Sequence, residues 1–513
     1  NNQIKGPGAA AIGKNVTWTH LKLLNLSGNP IGAEGARALA ENSAWSDLEE
    51  LILSSAQLDA KAGEALAKNT SWKKLKTLDL YSNGLGPIGV SALGKNIAWV
   101  ALEDLNLGYT YCEDEGATGL SLNTTWTNLK KLNLAYCSIS SKGAAALSTL
   151  NVIWKKLEFL NLNRNKIDDE GVAELAKNTT WENLQTLYLD SNPLTEKGII
   201  ELAKNPTWKQ LKSLSLEYTP LKEEGIIALC LAAAWKDLQI INLTFLQMGD
   251  KGFEHIATKA QWNNLTSLNL ERNFLTPVGI EFITKNTLWE NLEILDLNNN
   301  KLGDDGITSL SKNKQWKNLK SLNLMENGIG FAGIKSLVKK NAWTNLEELN
   351  LSRNKIQAKG TRLISECPSW PKLRVLNLNH NPITSAGAAS LGANETWTNL
   401  QCLYLEKCKL IEPGLEGFAK NSAWKKLEVL SLSNNQLIPT EVGVLSSNQS
   451  WVNLKKLHLE NCNLEDAGAL ELCNNQSWVN LETLYLHGNG ITGEGDEALA
   501  KQATWVKIQN IFT

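Results

Sequence analysis

The sequence predicts an α/β solenoid, a strongly curved horseshoe, near-ring or superhelix with a parallel sheet inside and short helices outside. Three observations carry this expectation. The 513 residues include 19 Trp, and seventeen of the 18 intervals between successive Trp are 27 residues long. Leucine recurs at fixed distances after each Trp, and Gly recurs at a fixed distance before the next. A period of this length repeated end to end marks stacked supersecondary units rather than separate globular domains.

With each Trp counted as position 0, Leu or a similar residue falls at positions 3, 6, 8 and 13, and usually at 21. Gly occupies position 17 in 16 of the 18 complete repeats, and Asn position 11 in 11 of them. In the coil opened by Trp181 these are Leu184, Leu187, Leu189, Asn192, Leu194, Gly198, Leu202 and Asn205. Positions 6 and 8 point inward and alternate with outward residues at 5, 7 and 9, the pattern of a short strand. Positions 17 to 23 read as a helix of about two turns, with Ile199, Leu202 and Ala203 as its apolar face in this coil. The single 28-residue interval, Trp126 to Trp154, places its extra residue in the helical half after Gly143.

Each indole is expected to fill the gap at the helix-to-strand return, with its ring N–H bonded to a carbonyl of the return loop. A carbohydrate-binding Trp platform is the alternative, and it needs exposed rings. Asn at position 11 is expected to form an amide ladder that satisfies backbone groups at the turn leaving the strand. Ala56, Thr110, Cys137, Thr219, Leu246, Cys408 and Cys462 interrupt that ladder.

The segment Leu184-x-x-Leu187-x-Leu189-x-x-Asn192-x-Leu194 resembles the strand and turn of the leucine-rich repeat family, and the likeness covers essentially the whole chain. The long helical half resembles the ribonuclease-inhibitor-like class, although a uniform 27 departs from that class's usual repeat of about 28–29 residues, and the Trp is an unusual mark. Helical segments such as Gly35-Ala-Arg-Ala-Leu-Ala40 are similar to those of bacterial repeat proteins. The resemblance implies protein binding, in a class that includes inhibitors, sensors, GTPase activators and secreted effectors. It fixes fold more narrowly than function.

One solenoid is expected over residues 1–513, with 18 complete repeats from Trp18 to Trp505 and partial repeats at both ends. Neither end carries a visible polar cap, so the sequence reads as a fragment of a longer protein. Strands stand about 4.8 Å apart, while helices about 10 Å wide cannot stack so closely. The mismatch implies a bend of roughly 20–25° per coil.

With 51 basic and 53 acidic residues the formal charge is -2. That balance gives no bulk reason to expect a nucleic acid partner, and the absence of an apolar run of 18 residues argues against membrane insertion. The eight Cys form no terminal cluster of the extracellular cap type and read as free thiols. A cytoplasmic or secreted-effector location is therefore favoured over a disulfide-capped extracellular domain. Asn-x-Ser/Thr triplets occur at Asn15, Asn69, Asn123, Asn178, Asn264, Asn394, Asn448 and Asn475 among others, as an Asn-rich repeat produces them automatically.

The expected function is a protein-recognition scaffold that binds a protein partner on the inner sheet. Nine residues at position 7 are Asn, forming either a regular polar surface or a repeated ligand contact. Seven of the eight Tyr lie at positions 7, 9 or 10, including Tyr404 and Tyr485. Tyr81, Tyr109 and Tyr136 should form one patch, and Tyr218 with Phe245 a second beside Tyr188. All four aromatics at position 10 precede a break in the Asn ladder, which implies altered turns there. Asp190, Glu217 and Glu271 at position 9, with Arg164, Arg272, Arg353 and Lys407 at position 10, would orient a protein ligand. Architectural self-assembly is the alternative, with a monomer favoured over end-to-end association. The family resemblance alone adds an accessory role in GTPase activation or beside an attached enzyme.

Catalysis and cofactors are not expected. Gly84-x-Gly86-x-x-Gly89 matches a dinucleotide fingerprint only superficially, because its strand, turn and helix are one coil. His458, His487 and Glu460 converge on adjacent coils but fall short of a zinc ligand set. No Ser/His/Asp or Cys/His arrangement supplies an oriented nucleophile.

Overall fold

The computed structural model describes residues 2–284, 286–340, 343–411 and 414–513. The chain forms two compact units, Asn1–Met248 with Lys259–Leu265, and Gly249–Thr258 with Thr266–Thr513. Both are leucine-rich-repeat-like solenoids of the same coil. In the first, three-residue strands from Leu23–Asn25 to Ile240–Asn242 pair in parallel, each with the next in sequence. In the second, strands from Ser267–Asn269 to Asn510–Phe512 do the same.

Register follows the leucines. Leu78 pairs with Leu105 and Leu105 with Leu132, all fully buried, so each strand places one Leu in the core between two side chains on the opposite face. The 28-residue interval preserves this register, with Leu132 opposite Leu160. Its extra residue is taken up after Gly143, where the helix Ser141–Thr149 ends at an exposed Leu150.

Apart from Glu416–Lys420, the helices of the Trp-marked coils begin earlier than the apolar pattern indicates, at position 14 or 15, as in Gly32–Ala40 and Asp169–Ala176. In five coils the start is capped by an Asp of the preceding coil: Asp114, Asp169, Asp250, Asp304 and Asp466. Asp169 accepts hydrogen bonds from the N–H of Thr195 (2.7 Å) and of Gly198 (3.0 Å) at the start of the next helix. Asp114 does the same for Ser140 and Gly143, and Asp466 for Thr492 and Gly495. In these coils the contact explains the Gly at position 17, since a Cβ on Gly198 or Gly143 would lie 2.6 Å from the capping carboxylate. Where Glu441 replaces that Gly, its buried carboxylate instead accepts from the N–H groups of Gly414 and Leu415 in the preceding coil.

Eighteen of the 19 Trp are buried to 1% exposure or less; Trp18, in the first marked coil, is 45% exposed. The rings stack coil on coil, as in Trp99–Trp126 with centroids 6.3 Å apart and planes at 11°. The expected bond from the ring N–H is not found: among the described residues Nε1 of Trp72, Trp99, Trp126, Trp181 and Trp208 has no acceptor. The return-loop carbonyls are already occupied. The Trp208 carbonyl accepts from Leu211 N–H, and that of Asn178 from the Asn205 side chain. Burial of the large ring outweighs the loss, since an unmade bond costs about 1–3 kcal/mol and truncating a buried Trp about 3–5 kcal/mol.

The Asn ladder at position 11 is present. Asn165 donates to the Leu134 and Leu162 carbonyls (both 2.9 Å) and accepts from the N–H groups of Cys137 and Ile139 (both 3.0 Å), so one amide satisfies two coils. A second ladder, unanticipated as such, lies three residues before 14 of the 19 Trp. Asn205 donates to the Ala176 and Asn178 carbonyls and accepts from Thr207 and Trp208 N–H.

Candidate protein-binding surface

The surface beside the sheet is shaped by one backbone feature. Position 10 has a positive φ in all 18 complete repeats, from Gly28 to Gly488, and only those two are Gly. An ordinary residue in this conformation is disfavoured by roughly 1–2 kcal/mol, so stacking of the turns must impose it. The turn is altered in six of the seven coils where the ladder Asn is replaced, including three of the four expected from the sequence (Thr110, Cys137 and Leu246), and likewise at Phe274, Gly328 and Gly490, where the Asn is kept. In the six, position 12 also turns left-handed, at Gln57, Tyr111, Ser138, Gln247, Lys409 and Asn463. The seventh has Pro220, whose ring forbids a positive φ. Thr110 makes one side-chain bond to its own turn, to the Leu107 carbonyl, whereas Asn165 bonds three carbonyls, so the exceptional turns are less tightly tied.

In the first unit this geometry assembles an aromatic cluster. Tyr109 and Tyr136 stack at 4.1 Å with planes 13° apart, and Tyr81 meets Tyr109 edge-on at 5.3 Å. The Arg164 guanidinium lies 5.6 Å from the Tyr136 ring, which extends the cluster to a fourth coil. Gly108 makes room for it, since a Cβ there would meet the Tyr81 ring at 3.1 Å. Burial, with Tyr109 and Asp79 nearby, pushes the Tyr81 phenol above its ordinary range, so it stays a neutral hydrogen-bonding tip. Tyr111 lies in the same turn as Tyr109 and is 54% exposed. The positional rule passed over it because its left-handed backbone at position 12 has no signature of its own.

The other expected residues divide. Tyr218 and Phe245 pair at 5.0 Å, as anticipated. The ring contact of Tyr188 is with Phe159, edge-on at 5.6 Å, across the sheet face. Asp190 is a strut: it accepts from Ser215 Oγ, Glu217 N–H and Asn163 Nδ2, and burial raises its carboxyl above the usual range. Glu217 accepts from Asn242 Nδ2 at 3.3 Å. In the second unit Glu271 and Arg272 pair with each other at 3.4 Å, while Arg353 is exposed.

A further stack in the second unit was not anticipated. His458, Tyr485 and Phe512 lie face to face on successive strands, at 4.1 and 5.2 Å. Their shared position 7 was the available signal. His458 Nδ1 is 3.2 Å from Glu460 Oε1, and Glu460 also accepts from Ser433 Oγ, so these groups are engaged with one another. Among the described residues no group of three or more His, Cys, Asp or Glu is placed to hold a metal ion. All eight cysteines are free thiols. Burial pushes Cys230 and Cys408 up to about 12, whereas a hydrogen bond from Cys112 lowers buried Cys137 to about 7. The glycine-rich turn has no free cradle: the N–H groups of Gly84, Gly86 and Gly89 donate to the carbonyls of Leu58, Thr110 and Leu85.

The comparisons with known proteins agree on the repeat. A Leucine Rich repeat family model matches residues 19–40, 73–94, 127–148, 155–176, 290–311, 317–338, 344–365, 371–392 and 452–473, and a second matches 480–501. Over those residues the chain carries leucine-rich repeats. No curated protein matches it. Among solved structures, a leucine-rich repeat protein of Leptospira interrogans is 24% identical with a TM-score of 0.43, covering 85% of this chain and 95% of that one. An internalin of Listeria monocytogenes is 20% identical with a TM-score of 0.39, covering 74% and 86%. The ectodomain of an Arabidopsis thaliana receptor kinase, GASSHO1/SCHENGEN3, is 21% identical with a TM-score of 0.45, covering 96% of this chain and 64% of that one. At these identities the leucine-rich repeat likeness concerns fold alone. No helix among the described residues is long and apolar enough to cross a membrane.

Proposed function

We propose that the protein is a non-enzymatic recognition scaffold whose first unit grips a protein partner through Tyr81, Tyr109, Tyr136 and Arg164. The stacked Tyr109–Tyr136 pair carries this reading. Two large rings held parallel on a backbone conformation they disfavour make a rigid, amphipathic platform, and such aromatic and Arg anchors dominate protein interfaces. Tyr218 and Phe245 supply a second, smaller anchor. Asp190 and Glu217 act by ordering that surface, since their carboxylates are already hydrogen-bonded. The ribonuclease-inhibitor-like subclass remains part of this reading, supported by the helical half of each coil.

The test is photo-crosslinking capture of a partner by the native chain, followed by affinity measurement with Tyr109→Ala/Tyr136→Ala. We expect at least tenfold weaker binding with an unchanged circular dichroism spectrum. Unchanged affinity would remove the cluster from the interface.

A further inference from the structure

Along the turn edge of the second unit, two pairs of exposed cations flank a histidine. Arg353, His380 and Lys407 occupy position 10 of three consecutive coils, with φ of 54°, 57° and 52°. The parallel pairing of Glu348 with Val375 and of Val375 with Cys402 fixes those coils as neighbours. Lys355 and Lys409 repeat the charge at position 12 of the outer two coils, while the middle coil has Pro382 there. Arg353, Lys355, Lys407 and Lys409 are all exposed, and among the described residues none forms an ion pair. Two carboxylates flank the stripe: Glu406, which accepts from Asn434 Nδ2 at 3.1 Å, and exposed Glu326 at position 10 of the coil before Arg353. Burial, with Arg353 and Lys407 on either side, holds the His380 imidazole below its ordinary range despite the pull of Glu406. An open depression of about 610 Å³ adjoins the stripe, lined by Thr384, Lys407, Lys409, Ile411 and Asn434.

We infer that this edge docks an acidic peptide segment of a partner protein, clamped between Arg353 with Lys355 and Lys407 with Lys409. Like charges held two coils apart repel one another across His380, and carboxylates placed between them remove that repulsion. Spacing selects the ligand. Two coils span roughly 9.6 Å and three residues of extended chain span roughly 10 Å, so acidic pairs three residues apart meet both cation pairs and pass over Pro382. A phosphodiester backbone carries charge continuously, and it would meet Glu406 beside the stripe. The exposed Ile411 in the depression suits an apolar side chain of a peptide. This site lies in the other unit from the tyrosine cluster, so either can fail without the other.

The experiment is fluorescence anisotropy at low ionic strength, with a fluorescein-labelled peptide Ser-Glu-Glu-Ser-Glu-Glu-Ser, its Gln counterpart and a ten-nucleotide oligothymidylate as probes. The intact chain should bind the acidic peptide, ignore the Gln peptide, and lose binding as salt screens the contacts. Arg353→Gln/Lys407→Gln should weaken binding at least tenfold. Lys335→Gln/Lys359→Gln, which removes equal charge from the helices Phe331–Lys340 and Ala358–Ser365, should leave it unchanged. Equal loss in both double variants, no loss in the first, no binding of the acidic peptide, or tighter binding of the oligothymidylate would each overturn the assignment.

Discussion

Asn354 illustrates how much one side chain does in this fold. It donates to the Leu324 and Leu351 carbonyls and accepts from Asn327 and Ile329 N–H at 3.0 Å, so its removal opens bonds in two coils at once. Asn354→Ala is expected to cost about 3 kcal/mol in urea denaturation, because each buried group left unpaired costs about 1–3 kcal/mol. Asp168 acts more locally, capping the helix Asp169–Ala176 through Glu170 and Gly171 N–H. The hydrogen bond from Ser141 Oγ, then the Gly171 N–H, holds its carboxyl below the usual carboxylate range. A lowered folded value means the ionised form favours the native state, so the contribution is complete above 3.8 and disappears as acid protonates the folded carboxyl. Asp168→Ala should therefore cost about 1 kcal/mol at neutral pH, with wild type and variant converging in denaturation midpoint below the carboxylate range.

At the scale of elements, five helices are capped by an Asp of the coil before, and the indoles bridge coil to coil. Trp208, stacked on Trp181 at 6.3 Å, should lose about 3–5 kcal/mol on truncation to Ala by cavity formation. Trp18→Ala, at an exposed ring, should cost well under that; equal losses measured by thermal unfolding would contradict the burial argument. Strand positions, helix order and the position-11 ladder were legible because leucine and Asn recur where the backbone demands them. The intercoil Asp caps were hidden, since Asp at position 15 looks like an ordinary first-turn acid until the next coil is laid beside it. For the candidate surface, one-dimensional spacing brought Tyr109 and Tyr136 together. It could not tell that Asp190 is consumed by Ser215 and Asn163, because side-chain direction is set by packing.

For the molecule as a whole, the second Asn ladder changes what the glycosylation-like triplets mean. Asn69, Asn123, Asn178, Asn394, Asn448 and Asn475 are buried, with their amides bonded to the previous coil. The Ser or Thr two residues on belongs to the same turn, as where Ser71 N–H donates to Asn69 Oδ1 and its hydroxyl to the Asn42 carbonyl. A glycan at any of the six would block closure of its coil. Mass spectrometry of the chain secreted from eukaryotic cells should find the folded fraction unmodified at all six, with exposed Asn264 able to carry sugar. The left-handed column has a wider consequence. Because the frame alone dictates that torsion, Ser, Tyr, Arg, Glu, His and Lys are all admitted there. Folding therefore places little demand on the identity of that side chain, and the column can be diversified rung by rung, acquiring new specificities while the underlying architecture stays the same.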